Sequence, residues 1–599
     1  MSALHKFHIP VLGIGYSIDT PVKVARYGIS SVISIMDDEL VEKMRKHYCN
    51  EINEIYIPIA VSEVDYRAKR ITAYLNLIDK IIAAQISGLK HLPFDEDGDI
   101  VKYFDLLPDY APLKRKYHVM KQHEPGEAKT ALENELRSII QPGSIDVNIM
   151  AKVDRINSNT DGELLPVEYS DALSALRGYA NSELKSSIVF SAGYNPRLYS
   201  YIETFKDFFP DENGCLKKRI ILKVSDYRSA LVQGKILAKK GLWVSEFRIE
   251  SGLNCGGHAF ATDGFLLGPI LEEFKNKRNE LTSEIYALCH AAHMDKGIQS
   301  FKEQPSIKIT VQGGIGTAAE NDFLFEYFMV DSTGWGSPFL LVPEVTNVDD
   351  YTLAQLVAAK KEDYYLSHAS PLGVPFNNFR NSSAETQRKE RINKNRPGSP
   401  CYKKYLISNT EFTEMPICTA SRQYQELKIK QLKEKNLPAE LLQSMLDDVT
   451  EKDCLCEGLS TPVLLKDGLP LSHKLSAVTI CPGPNLAYFS GVFSLSQMVN
   501  HIYGKINLLN SLRRPNMFIN ELNQYINYLK SEVQKIDITP KQTKYYQVFK
   551  ANLINGIDYY KQLIPNMKQE AENYIASMKE DLRTALESLN KLEIPSLVK

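Results

Sequence analysis

The first part of the chain alternates short apolar runs with amphipathic stretches, and this rhythm constrains the fold more than any other feature. It opens with His8-Ile9-Pro10-Val11-Leu12-Gly13-Ile14-Gly15, then Thr20-Pro21 ahead of Val22 to Tyr27, a stop at Gly28 and the apolar run Ile29 to Ile35. A strand, a short helix with proline just inside its start, a glycine stop and a second strand make a βαβ unit. The rhythm resumes with strands at Ile145 to Met150, Ser187 to Gly193, Arg219 to Val224 and Val244 to Glu250, separated by helical stretches such as Tyr169 to Tyr179 and Ser229 to Lys240. A helix from Leu266 to His290 leads to a strand at Ile307 to Gln312, a helix starting near Ala318, and a last strand at Phe328 to Ser332. The eight strands alternate with helices, which predicts an α/β fold, a parallel sheet closed into a (β/α)8 TIM barrel over residues 1–366.

Residues 50–140 break the rhythm with long amphipathic stretches such as Ala68 to Lys90 and a charged run from Lys114 to Glu135. They read as a helical insertion, either a packed excursion on the barrel rim or a lid over the site. Residues 367–493 form a loop-rich, cysteine-containing region, and Ser367 to Pro400 in particular reads as loop. Within it, the small-residue stretch Pro371 to Asn378 with Arg380 is either a connector or a cover for the barrel mouth. Residues 494–599 read as a C-terminal helical region broken at Pro515, Pro540 and Pro565.

With 71 basic against 73 acidic residues, the chain lacks the electrostatic footprint of a protein that grips a phosphate backbone, so nucleic acid is not an expected partner. No stretch approaches the roughly 20 uninterrupted apolar residues of a membrane span. The opening residues lack the apolar core of a secretory signal, so a cytoplasmic location is expected. Nine cysteines are too few, and odd in number, for a secreted disulfide scaffold. They are expected as free thiols, metal ligands or catalytic groups.

At the end of the seventh strand, Gly313-Gly314-Ile315-Gly316-Thr317 opens a helix, and Asp331 to Ser337 offers a second small-residue loop after the eighth. Glycines let the backbone approach an anion, helix-terminal amides face it, and barrel phosphate sites are commonly shared by these two loops. The pair reads as a phosphate site, or as two tight turns. After the sixth strand, Asn254-Cys255-Gly256-Gly257-His258 lies on the same rim. Gly256 and Gly257 permit close approach of a flat ring, and His258 is suited to proton transfer near neutrality. Cys255 is either a redox-active or substrate-binding thiol or a small core residue.

The order of these motifs resembles the flavin-dependent nitronate monooxygenases and the FMN-dependent enoyl-acyl-carrier-protein reductases. The segments that carry the resemblance are Pro10 to Ser17, Val147-Asn148-Ile149-Met150, Ala192-Gly193-Tyr194-Asn195-Pro196, Asn254 to His258, Gly313-Gly314-Ile315 and Gly336-Ser337-Pro338-Phe339. They span roughly residues 8–345 outside the insertion. The resemblance implies bound FMN, with Asn148 touching the flavin ring, His258 facing the substrate, and Gly314, Gly336 and Ser337 holding the phosphate. Gly13, Gly15 and Gly193 fall in segments expected along the cofactor. Two departures stand out. Cys255 replaces a small apolar residue, and Ser337-Pro338 replaces a Thr-Arg pair, removing one cation near the phosphate.

Cys401, Cys418, Cys454 and Cys456 follow the barrel, a region that neither family normally has. Four thiolates drawn together would bind zinc or hold an iron–sulfur cluster. Isolated buried cysteines are the alternative. The expected activity is that of an FMN-dependent oxidoreductase acting on a small or acyl-chain substrate, its electron donor unassigned, with His258 as acid/base. The alternative from another class is a non-redox barrel that binds a phosphate ligand or RNA beside a zinc-stabilised interaction module. The C-terminal helices would pack on the barrel or on a second copy in a homo-oligomer.

Overall fold

The computed structural model describes residues 4–95, 97–150, 153–159, 161–191, 193–256, 263–535, 538–568 and 571–595. Eight parallel strands close into a barrel in sequence order: β1 (Phe7–Ile9), β2 (Ser30–Ser34), β3 (Ile145–Ile149), β4 (Ser187–Phe190), β5 (Arg219–Val224), β6 (Val244–Glu250), β7 (Lys308–Gln312) and β8 (Ser332–Gly334). β8 pairs back onto β1, with Phe7 opposite Thr333. The fold is therefore the (β/α)8 barrel expected from the rhythm of the chain.

Alternation along the strands sorts side chains between two environments. Outward residues such as Ile33, Val147, Ile149, Phe190, Leu222, Phe247, Ile249 and Val311 are buried in one apolar core with the surrounding helices. Inside the barrel the apolar content shrinks to a small cluster of Val32, Val189 and Ile221, with Val11 against it. Most of the remaining interior is polar, in contrast to the branched apolar layers usual in such barrels. Glu246 accepts from Arg248 Nε at 2.8 Å and from Thr310 Oγ1 at 2.6 Å, and Asp146 lies 3.7 Å from the same guanidinium. Burial, helped by the charge of Arg248, pulls the His8 imidazole down to about 3, so it sits in this network as a neutral ring.

β8 begins where the apolar run was expected to end. Met329 adopts a left-handed backbone (φ 56°), which a strand does not accommodate, and Phe328 packs edge-on against Phe323 and Phe518 in the helix layer. The run from Phe328 to Val330 is core of the helix layer, and the strand is carried by Ser332, Thr333 and Gly334.

The segment expected to be loop between Ser367 and Pro400 is partly regular. β9 (Tyr364–Ser367) and β10 (Phe376–Phe379) pair antiparallel, and a helix spans Ser383–Asn393. Its start is capped by Ser382, whose side chain accepts from Glu385 N at 3.2 Å, a Ser-x-x-Glu pattern at a helix start.

Residues 50–140 contain four helices among the described residues, of which Tyr66–Leu89 is the longest and packs on the helices Asp38–Glu51 and Asp171–Ala180 of the barrel layer. In the tail, the helices Met517–Val533, Pro540–Leu563 and Glu572–Lys591 pack on one another, and the first two also pack on the barrel helix Leu267–Lys296. Thr539 and Gln542 form a capping box at the start of the second, with Pro540 in its first turn. Among the described residues no helix is long and apolar enough to cross a membrane.

Candidate functional site

The carboxyl ends of the strands open into a space of about 1130 Å³, counted with its mouth. Its floor is built by alternate strand residues: Ser34 from β2, Asn148 from β3, Lys223 from β5, Arg248 and Glu250 from β6, and Gln312 from β7. Its roof is apolar and comes from after the barrel, through Leu372, Phe376, Leu406, Leu455, Cys456 and Leu459. No described residue of the 50–140 insertion lines it, so the cover over the mouth is the 372–459 region.

The roof is fastened to the barrel through buried polar contacts. Gly15 N–H donates to Leu459 O at 2.7 Å, and the Tyr16 hydroxyl donates to Thr479 O at 2.8 Å. Asp37, in the loop after β2, caps the following helix through Leu40 N and is also bonded to Lys403, to the Ser460 hydroxyl at 2.6 Å and to the Tyr405 hydroxyl at 3.1 Å. Burial works to raise the Asp37 carboxyl, but Lys403 and the Ser460 hydroxyl outweigh it and hold it below the usual range.

Polar groups converge at the floor. Glu250 Oε1 accepts from Asn254 Nδ2 at 2.7 Å and Gln312 Nε2 at 2.8 Å, and lies 3.0 Å from Lys223 Nζ. Asn148 Oδ1 is buried and has no hydrogen-bond partner among the described residues. A buried acceptor left unpaired costs about 1–3 kcal/mol, so it marks a place where a donor from outside the chain is favoured.

Of the residues singled out in the sequence, Gly13, Asn148, Cys255 and Gly256 line this space. Gly15 packs under the roof, where an added Cβ would lie 2.8 Å from Ser460 O. Gly193, with φ 128°, lies beyond β4 and outside the lining. Gly257 and His258 lie outside the described residues. Cys255 is buried and donates to Cys481 O at 3.1 Å. Burial pushes its thiol far up, which makes it a protonated donor.

The two phosphate-loop candidates come together on adjacent strands, but Gly316 has a partner within the chain. Its N–H donates to Glu320 Oε2 at 2.9 Å. Arg514, from the C-terminal region, reaches Glu320 Oε1 at 2.6 Å, Gly314 O at 2.6 Å and Asn485 Oδ1 at 2.8 Å. A guanidinium thus stands beside the loops where the sequence lacks one locally, and Glu320 neutralises it. Ser337 is buried and bonded to Cys255, beside Gly336.

Sequence reasoning missed Lys223, Arg248, Glu250 and Gln312. Their signal was present: strands buried on both faces run nearly continuously apolar, whereas β6 and β7 put polar groups at every second position and β5 carries Lys223 among apolar neighbours. It also missed Glu521, on the helix Met517–Val533. This carboxyl accepts from Ser251 Oγ at 2.8 Å and Gly252 N at 3.3 Å on one side, and from Leu267 N at 2.7 Å on the other. It therefore ties the two ends of the loop after β6 that carries Cys255 and His258.

Burial outweighs these donors and pushes Glu521 up to about 7. Because the folded value lies above the unfolded one, its contribution to stability is complete below the ordinary carboxyl range and is lost as pH rises through about 7. Glu521→Gln is expected to flatten the fall in urea midpoint between about pH 5 and about pH 8. An unchanged slope in the variant would show that Glu521 does not titrate there.

A scan against protein-family models finds no match for this chain, and no curated protein matches it. The fold and the cavity define a closed eight-stranded parallel barrel with a polar-floored, apolar-roofed space at its C-terminal face.

Proposed function

We propose that the protein is an FMN-dependent oxidoreductase, with the flavin ring in the space at the barrel mouth and a small or acyl-chain substrate above it. The observation that carries this reading is the unpaired Asn148 Oδ1, buried at the floor beside Lys223, Glu250 and Gln312. The pyrimidine edge of a flavin alternates an N–H donor with carbonyl acceptors, which complements an amide acceptor among cationic and amide donors. The motif order shared with the nitronate monooxygenases and enoyl reductases points the same way.

Asn148, Gly13 and Gly256 would hold the ring, and Gly314, Gly336 and Ser337 would hold the phosphate. Gly316 drops out of that set because Glu320 takes its amide. FMN supplies the hydride or electron transfer, while the chain supplies position and electrostatics. The ion pair of Lys223 with Glu250 fixes charge at the floor, and the apolar roof excludes water. His258, on the loop that Glu521 holds at both ends, serves as the acid/base.

The test is an FMN titration of cofactor-stripped protein followed by flavin fluorescence. Wild type is expected to bind, and Asn148→Ala to bind roughly 3- to 10-fold more weakly, the value of one neutral hydrogen bond. Equal affinity in the two proteins would remove Asn148 from the ring site.

A further inference from the structure

Among the described residues no three His, Cys, Asp or Glu side chains are gathered to hold a metal ion, Cys401, Cys418, Cys454 and Cys456 included. Polar groups with no metal-binding character gather elsewhere. A second cleft, of about 1180 Å³ counted with its mouth, opens between the β9–β10 pair and the helix Met517–Val533. Phe376 of β10 lines the barrel mouth, and its neighbour Asn377 lines this cleft.

The helix contributes Asn520, Asn523, Gln524, Asn527, Tyr528 and Ser531. Their spacing of three and four residues sets them on one face, while Phe518, Leu522, Tyr525, Ile526 and Leu529 are buried in the core. The solvent face of a helix usually carries charge. This face is neutral from Asn520 to Ser531, and the charged residues of the helix, Glu521, Lys530 and Glu532, fall outside the cleft lining.

Tyr364 and Tyr365 of β9 line the cleft as well, together with the buried Asn377, Asn378 and Tyr488. The β9 rings are held by the chain itself. Asn378 Nδ2 donates to the Tyr365 hydroxyl at 3.2 Å, and the Arg380 guanidinium lies over that ring, 4.0 Å from its centre. The Tyr364 ring packs on Phe379 with 5.5 Å between centres, and its hydroxyl is buried with no hydrogen-bond partner among the described residues. Asn520 and Gln524 donate from their amide nitrogens to Pro515 O at 3.1 Å and Gly252 O at 2.7 Å. The side chains of Asn523 and Asn527 make no hydrogen bond among the described residues.

The lining thus holds six carboxamides and four tyrosines but no carboxylate. Its basic groups are the exposed Lys361 and His368, whose Nε2 lies 3.3 Å from Glu532. A cation would find no counter-charge there, and an anion would find one solvated lysine. A carboxamide offers donors and an acceptor together, as vicinal hydroxyls require, and a tyrosine adds a flat apolar face with a polar tip. At about 1.5 Å per residue the helix face from Asn520 to Ser531 runs roughly 16 Å, the reach of a short sugar chain.

We propose that this cleft binds a short neutral oligosaccharide, its hydroxyls bonded by the carboxamides and its C–H faces laid against the tyrosine rings. The site stands independently of what occupies the barrel. The two spaces share a wall, because Asn377 Nδ2 donates to Asn254 O at 3.2 Å and Gln524 holds Gly252 O, both on the loop after β6 that reaches the barrel mouth.

The test is saturation-transfer NMR followed by calorimetric titration of the full-length protein with neutral trisaccharides of glucose, galactose, mannose and N-acetylglucosamine. Adenosine and a trialanine peptide blocked at both ends serve as uncharged ligands of other classes. At least one trisaccharide is expected to bind. The double variant Asn523→Ala/Asn527→Ala is expected to bind it roughly 10- to 100-fold more weakly, the loss of two neutral hydrogen bonds. Both residues are exposed, so the variant is expected to keep the wild-type circular dichroism, thermal midpoint and FMN affinity. That retained FMN affinity separates a failure here from a failure of the flavin reading. Binding of no trisaccharide, equal affinity in the double variant, displacement of the sugar by FMN, or binding of adenosine or the peptide alone would each overturn the proposal.

Discussion

Arg514→Met is expected to lower the unfolding free energy by about 3–5 kcal/mol, the cost of stripping one partner from a buried ion pair. Arg514 and Glu320 are both almost fully enclosed, at 6% and 2% exposed. The guanidinium ties Glu320, Gly314 O and Asn485 into one group. Methionine fills much of the same volume, so the loss isolates the charge and hydrogen bonds from packing. Arg514→Lys is expected to recover little, since an ammonium on a flexible stem does not reproduce a planar fork with three acceptors. Adding Glu320→Gln to Arg514→Met is expected to restore part of the loss, because the uncompensated carboxylate disappears. Urea unfolding of the four proteins measures this directly. A single-variant loss within about 1 kcal/mol of wild type, the size of one ordinary hydrogen bond, would show the pair to be screened by solvent.

If the barrel mouth holds FMN as proposed, Gly256→Ala is expected to abolish its binding while leaving the barrel folded. Gly256 has φ 79°, and a Cβ there would lie 2.1 Å from Val11 O and 2.6 Å from the Leu12 backbone. These neighbours are main chain of the segment after β1, so they do not rotate away. A left-handed alanine costs about 1–3 kcal/mol, and forcing extra atoms into packed structure costs a similar amount. The loop after β6 would relieve both by moving out of the space that Gly256 lines, taking the neighbouring Cys255 with it. Circular dichroism with FMN titration checks this: near-native helix content with binding lost is the expected pair, and unchanged FMN affinity would place the cofactor away from Gly256.

The barrel was legible because its signal is local. Each of Arg219–Val224 and Val244–Glu250 is a strand whose outward face is apolar, and the structure places both where the periodicity put them. β8 was shifted because apolar residues at Phe328 and Val330 serve the helix layer, a tertiary choice that a run of hydrophobic residues does not distinguish from a strand. Asn148 was found through motif resemblance, and Cys255 and Gly256 through their place after the sixth strand, and all three line the mouth. Lys223, Glu250 and Gln312 carried a readable anomaly, polar residues within otherwise apolar buried strands. Arg514 and Glu521 carried none, since their partners lie 194 and about 270 residues away and no local pattern encodes such a distance. The cover was left open between the 50–140 insertion and the Pro371 to Asn378 stretch, because only packing decides which one covers the mouth.

The space at the barrel mouth is proposed as a flavin site. It is tested most directly by the absorption spectrum of purified full-length protein, recorded before and after denaturation, with the released compound identified by mass. Flavin absorbance and release of about one FMN per chain are the expected result. A colourless protein that takes up no added FMN would contradict it.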